Sequence, residues 1–142
     1  GDGAVLDRLK VNAKQLALHN LTFLDFRNRE GVRELMNITD SAFICYKPVP
    51  VLETGSPNKY FDGLAAGKLI VINFSGWFKE EIEENNCGVY VNSHEPADFI
   101  RKITPYLADT KLLTESQKAS RQLAEQKYSR KLLSEKFSDI FN

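Results

Sequence analysis

The chain has 142 residues, 42% of them hydrophobic, a size and composition that suit one soluble globular domain with a core of its own. Its 19 Lys and Arg balance 19 Asp and Glu, so bulk charge argues against a nucleic-acid binder. No apolar run approaches the roughly 20 residues a membrane crossing needs, and no charged-then-apolar leader opens the sequence.

Leu6, Leu9, Ala13 and Leu16 fall on one helical face, and Asn20 to Phe26 follow as a strand that ends near Asp25. Arg29 to Ile38 reads as a second helix through Val32, Leu35 and Met36. Ala42 to Tyr46 predicts the next strand, which leads into a proline-broken loop from Lys47 to Glu53. Ser56 is a good N-cap, and Pro57 suits the first helical position because its missing N–H has no intrahelical acceptor there, so the next helix is predicted to begin at Pro57. Tyr60, Phe61, Leu64 and Ala65 give that helix one apolar face, and Gly67 supplies the positive-φ residue that ends it. Leu69 to Phe74 is unbroken apolar and β-rich, as a strand buried on both faces at the centre of a parallel sheet would be.

Trp77 to Asn85 is predicted as an acidic helix closed before Gly88, Val89 to Val91 as a short strand, and Pro96 as the opening of a helix with Phe99, Ile100 and Ile103 inward. Trp77 and Phe78, after Ser75-Gly76, either wall a pocket or anchor the helix they open. From Asp109 onward the composition shifts to Lys, Glu, Gln, Ser and Leu with amphipathic spacing, which predicts two helices, the second capped by Ser129. Alternating helices and strands with short connections imply an α/β fold, a Rossmann-like doubly wound parallel sheet whose ligands bind outside the carboxyl ends of the strands. Residues 1–107 are expected to form that core and residues 108–142 a helical tail packing on it.

The chemistry concentrates at the helix start after Thr54. Gly55 lets a ligand approach the backbone, the first amides of the helix point outward, and the helix dipole favours negative charge, so a phosphate or diphosphate would sit well there. Lys59 adds a cation, and Asp62, one turn after Asn58 on the same face, can accept two hydrogen bonds from a ribose diol. The competing reading is an ordinary strand-loop-helix connection with Lys59 and Asp62 merely solvated. A magnesium-nucleotide P-loop is set aside, because Gly63 to Leu69 has too few residues between glycines and Leu69 where a Ser or Thr should stand. Cys45 and Cys87 read as two reduced structural thiols, and His19 and His94 as surface residues without metal-ligand neighbours.

Thr54-Gly55-Ser56-Pro57-Asn58-Lys59, then Phe61-Asp62 and Leu64-Ala65-Ala66-Gly67-Lys68, resembles the donor-binding signature of GT-B retaining glycosyltransferases of the glycosyltransferase 4 family. The resemblance extends from Gly1-Asp2-Gly3 to about Leu107 and implies the C-terminal, nucleotide-sugar half of such an enzyme, with the first strands of that half absent. In the family an acid before the helix contacts donor-sugar hydroxyls, backbone amides after it meet the sugar or the diphosphate, and an acid within the helix holds the ribose. By position these are Thr54, with Glu53 beside it as a carboxylate able to substitute, then Gly55, Ser56, Pro57, Asn58 and Lys59, and finally Asp62. The Ser-Pro-Asn-Lys form resembles bacterial polysaccharide transferases more closely than the Glu-rich form does.

The resemblance further implies a UDP- or GDP-sugar as donor substrate, no metal or other cofactor, and transfer to a polysaccharide or lipid-linked acceptor of the bacterial cell envelope. It implies an acceptor domain elsewhere in the same enzyme, a cytoplasmic location with peripheral membrane contact through the full-length enzyme, and no activity in this chain alone. Terminal helices of GT-B enzymes pack back across both domains, and local packing is the other reading of this tail. Two further classes stand beside this one. A NAD-binding oxidoreductase domain is suggested by Gly1-Asp2-Gly3 opening a helix and Asp25 ending the next strand, although Leu6 stands where a third glycine is needed. A non-catalytic α/β scaffold domain would leave the segment from Thr54 to Asp62 unexplained.

Overall fold

The structure is a computed structural model that describes residues 3–47, 49 and 55–141. It falls into two compact units, Gly1–Leu35 and Met36–Asn142.

The first unit carries α1 (Leu6–Gln15) and the start of α2 (Arg29–Ile38). Helix α1 buries none of its residues, and Leu9 and Leu16 stay exposed. Helix α2 has the predicted bounds, and the Asn28 side chain accepts a hydrogen bond from the Gly31 amide at 2.9 Å to satisfy its first turn. The strand expected over Asn20 to Phe26 is not formed: the segment has no regular structure, and Leu21, Leu24 and Phe26 are exposed. A strand exists only through its ladder, and among the described residues the sheet has three strands, none of them from this segment.

The second unit holds that sheet, with β1 (Ser41–Ile44), β2 (Leu69–Ile72) and β3 (Gly88–Tyr90) all parallel in the order β1-β2-β3. Ser41 lies opposite Leu69, and Ile70 opposite Gly88. Strand β2 is buried along its whole length, as its unbroken apolar run requires of a central parallel strand. Its alternate side chains feed two cores. Ile70 and Ile72 pack with Ile44, Tyr60, Leu64, Phe78, Ile82 and Leu123 on one face. Leu69 and Val71 pack with Val91, Ile103, Tyr106 and Leu113 on the other. Each such aliphatic side chain taken fully from water contributes about 1.5–3 kcal/mol, and helices on both faces make the sheet a Rossmann-like α/β layer.

Between the strands run α3 (Asn58–Ala65) and α4 (Trp77–Glu84), followed by α5 (Pro96–Ala108), α6 (Thr110–Lys127) and α7 (Arg130–Asp139). Helix α3 ends as expected at Gly67, whose φ is 62°: the Lys68 amide donates to Gly63 O at 3.0 Å and the Gly67 amide to Leu64 O at 2.9 Å, a Schellman closure. Its start differs by one residue from the sequence reading. Pro57 is the N-cap, with extended backbone at ψ 125°, because its carbonyl accepts the Tyr60 amide at 3.0 Å and leaves Ser56 outside the helix.

Helix α5 also departs from expectation. Ile103 packs inward with Tyr106, whereas Ile100 is 67% exposed and Phe99 stands at the rim against the Phe43 ring. The helix is rotated because Asp98, which is buried, takes the inward position at its first turn.

Helix α6 passes under the amino-terminal edge of the sheet. Gln117 Nε2 donates to Asp40 O at 2.9 Å, Arg121 Nη1 donates to Ala65 O at 2.5 Å, and Ser120 Oγ shares its one proton between Lys68 O at 2.7 Å and Cys87 O at 3.1 Å. The helix thereby satisfies carbonyls just before all three strands while Leu113 packs on one face of the sheet and Leu123 on the other. Asp109 caps α6 through the Lys111 and Leu112 amides, and Ser129 caps α7 through Leu132, the latter as predicted.

Candidate functional site

Each helix that follows a strand of this parallel sheet begins at the carboxyl edge, so the starts of α3, α4 and α5 share the edge at which ligands of such folds bind. Asn73, one residue past β2, clamps that edge. Its Oδ1 accepts from the Tyr46 amide and its Nδ2 donates to Tyr46 O, both at 2.8 Å, so one side chain continues the β1–β2 ladder beyond the strands. The Tyr46 and Phe74 rings pack 4.9 Å apart beneath it.

The α3 start carries the residues singled out in the sequence. Pro57 is buried and fixes the entry, Gly55 is half-buried, and Ser56, Asn58, Lys59 and Asp62 are exposed. Asn58 and Asp62 share the outward face one turn apart, while Tyr60, Gly63 and Leu64 face the core. The amides of Asn58 and Lys59 come before Tyr60, the first residue to donate within the helix, so no carbonyl of the helix itself takes them up and they suit an anion on geometric grounds. Glu53 and Thr54, the positions assigned to the donor sugar, lie outside the described residues, as do Gly1 and Asp2.

Tyr60 fixes the first turn of α3 from inside. Its hydroxyl donates to Glu81 Oε2 of α4 at 2.5 Å, and Tyr128 Oη lies 2.7 Å from both oxygens of the same carboxylate, which also receives the Lys127 ammonium. Glu81 is 5% exposed, so these partners satisfy a buried charge and join α3, α4 and the end of α6. Burial above all, then the bond to Glu81 and its charge, raises the Tyr60 hydroxyl well beyond the ordinary tyrosine range, and the same causes raise Tyr128. Both phenols therefore stay protonated donors.

At the start of α4, Gly76 has φ 85° and ψ −166°, a conformation essentially confined to glycine. Trp77 follows it, stacked on Phe78 with centroids 3.6 Å apart. Phe78 is fully buried and anchors the helix, while Trp77 remains partly open. At the start of α5 the buried Asp98 accepts from the Asn92 amide at 2.8 Å and pairs with Lys102 at 3.1 Å and with Arg101. The Asn92 bond, helped by the two cations, holds its carboxyl below the usual range against the opposing effect of burial.

Sequence reasoning did not single out Glu81, Asn73 or Asp98. Glu81 lies among other glutamates and its partners come from far along the chain, so nothing local marked it. Asp98 did carry a signal, an acid in the first turn behind Pro96. Both thiols are free, Cys45 exposed and Cys87 buried, so Cys45 is not the core residue its apolar neighbours suggested. His19 and His94 are exposed. Among the described residues no group of three or more His, Cys, Asp or Glu is placed to hold a metal ion, and no helix is long and apolar enough to cross a membrane. An open groove of about 400 Å³ lies in the first unit, lined by Phe26, Arg27, Asn28, Glu30, Gly31 and Glu34. The oxidoreductase reading needed Asp25 at a strand end, and Asp25 stands in an irregular, exposed segment.

A family model described as glycosyl transferases group 1 matches residues 1–127. No curated protein and no solved structure matched the chain.

Proposed function

The chain belongs to the group 1 glycosyltransferases, and from that premise we propose that it is the donor-binding half of a retaining enzyme that moves a sugar from a UDP- or GDP-sugar to a polysaccharide or lipid-linked acceptor. Family membership itself brings glycosyl transfer and nucleotide-sugar binding in general. The observation that carries the finer reading is the start of α3, where an extended Pro57, outward amides at Asn58 and Lys59, an exposed ammonium at Lys59 and an exposed carboxylate at Asp62 stand at the carboxyl edge of the sheet.

In this reading the amides from Gly55 to Lys59, with Pro57 setting their direction and Ser56 flanking them, bind the donor diphosphate. The bond from the sugar's anomeric carbon to the diphosphate breaks, and a bond to the acceptor oxygen forms on the same face of the ring. Negative charge then grows on the departing diphosphate, where fixed amides, the helix dipole and Lys59 stabilise it without a metal. Asp62 orients the ribose, and Thr54 or Glu53 addresses the sugar hydroxyls. Acceptor binding and the remaining catalytic groups belong to an acceptor domain of the same enzyme, so the present chain binds donor and does not turn it over. The full enzyme works in the cytoplasm, with peripheral membrane contact on a lipid-linked acceptor.

An NMR titration of isotope-labelled chain with UDP, GDP and NAD tests this. The amides of Gly55 to Asp62 are expected to shift with UDP or GDP, and Asp62→Ala is expected to weaken that binding about tenfold, the loss of a charge-assisted hydrogen-bond acceptor, while leaving the rest of the spectrum folded. Asp62 is exposed, so a variant that unfolds, or one that binds as the parent does, would remove it from the site.

A further inference from the structure

Trp77 is the single tryptophan of the chain, and the donor reading gives it no contact. It is 41% exposed although it opens α4 at the carboxyl edge. One indole face lies against Phe78, with centroids 3.6 Å apart and rings inclined by 30°. A second ring, Tyr60, meets the indole edge-on at 6.0 Å and 81°. Phe78 and Tyr60 are both fully buried, and the Tyr60 hydroxyl is tied to Glu81. The indole is thus held by two rings that are themselves fixed, while 41% of the residue still reaches solvent. The backbone before it is held as well, because Gly76 adopts a conformation essentially reserved for glycine, which sets the direction in which Trp77 leaves the sheet edge. A rigid, half-open aromatic beside a helix start is a preorganised surface rather than an incompletely buried core residue.

The helix geometry of α3 selects what that surface meets. Tyr60 and Asp62 are two residues apart, which is about 200° around the helix, so Trp77, in contact with Tyr60, stands on the flank opposite Asp62. A nucleotide with its diphosphate at the Asn58 and Lys59 amides and its ribose at Asp62 sends its base along the Asp62 flank. The group at the other end of the diphosphate is the one directed to the Trp77 flank, and that group is the glycosyl ring. We infer that the indole of Trp77 stacks on the C–H face of the donor's sugar ring and positions it for transfer, an inference that rests on the donor reading of α3. An indole offers a flat apolar surface to the C–H face while leaving the hydroxyl rim free for polar contacts.

The indole is its own probe. Emission of the intact chain is followed in titrations with UDP-glucose, UDP-N-acetylglucosamine and GDP-mannose, each beside its own nucleoside diphosphate, with the amides of Gly55 to Asp62 observed by NMR on the same samples. The expected result is that at least one nucleotide sugar changes the emission and saturates together with the amides, whereas the matching diphosphate shifts the amides and leaves the emission unchanged. Trp77→Ala and Trp77→Leu should then weaken binding of that nucleotide sugar about fivefold and leave diphosphate binding within about twofold, a ratio taken within one variant and therefore indifferent to any change in its stability. Emission that responds alike to diphosphate and nucleotide sugar would place the base on the indole and overturn the assignment, as would saturated amides with silent emission for all three donors. Amides silent to every nucleotide would instead overturn the donor reading, and the sugar contact with it.

Discussion

Glu80, Glu81, Glu83 and Glu84 lie together in α4, and of these four only Glu81 is buried. Two phenols and an ammonium make that burial tolerable, and none of them is nearer than 21 residues in the chain. Local pattern therefore could not separate Glu81 from its solvated neighbours, whereas the helix start that leaves Asn58, Lys59 and Asp62 exposed was legible because it is encoded within a few residues of them. Cys87 belongs to the same buried cluster. Burial first, with the Glu81 charge adding and the Ser120 hydrogen bond opposing, pushes its thiol up to about 11. A free thiol titrates near 8.5, so the folded value lies above the unfolded one. Its contribution to stability is then complete below about 8.5 and is lost as pH rises through about 11. At pH 8 a thiol reagent should modify Cys45 rapidly and Cys87 only as fast as the domain opens. Denaturation midpoints should decline across that alkaline window in the parent and decline less in Cys87→Ala. Equal reaction rates for the two thiols would show that Cys87 is open to solvent.

Among the elements, those whose identity is written in one face or one cap were readable, and those that depend on a distant partner were not. The run from Leu69 to Ile72 could only be a strand buried on both sides, and Gly67 and Ser129 mark helix boundaries through their own backbone or side-chain chemistry. The stretch from Asn20 to Phe26 has strand-like residues but adds no strand to the sheet among the described residues, and α5 turned away from its most apolar pair because the buried Asp98 accepts from the Asn92 amide and pairs with Lys102 and Arg101 at the rim. Helix α6 shows the same dependence most clearly. Its sequence is amphipathic, yet its role rests on Gln117, Ser120 and Arg121 reaching carbonyls that precede the strands. Ser120 is fully buried, so Ser120→Ala removes the donor shared by Lys68 O and Cys87 O and should cost about 1–3 kcal/mol in denaturant unfolding. Ser120→Thr, which keeps the hydroxyl, separates that loss from crowding. A Ser120→Ala protein as stable as the parent would mean that water replaces the hydroxyl and that Gln117, Arg121 and the packing of Leu113 and Leu123 suffice to hold the helix.

Across the molecule, every buried residue among those described lies at or beyond Ile44, and both apolar clusters belong to the second unit. That unit also contains all three strands, the α6 strap, the Glu81 network and the start of α3. The first unit buries none of its described residues, and every member of both apolar clusters comes from the second. Cooperativity in a small domain comes from such a shared core, and the requirement is met without residues 1–35. Residues 36–142 alone should therefore fold, unfold in one transition, and retain the amide positions of β1 to β3 seen in the full chain. The same shortened protein should also keep the response of Gly55 to Asp62 to UDP or GDP, because Asn58, Lys59 and Asp62 are supported from within it by Tyr60 and Glu81. Circular dichroism melting and an amide spectrum of the two lengths side by side decide the matter. A shortened chain that loses its dispersed amides would show that the second unit does not fold without residues 1–35 and that the β2 layer is not by itself the origin of the fold's stability.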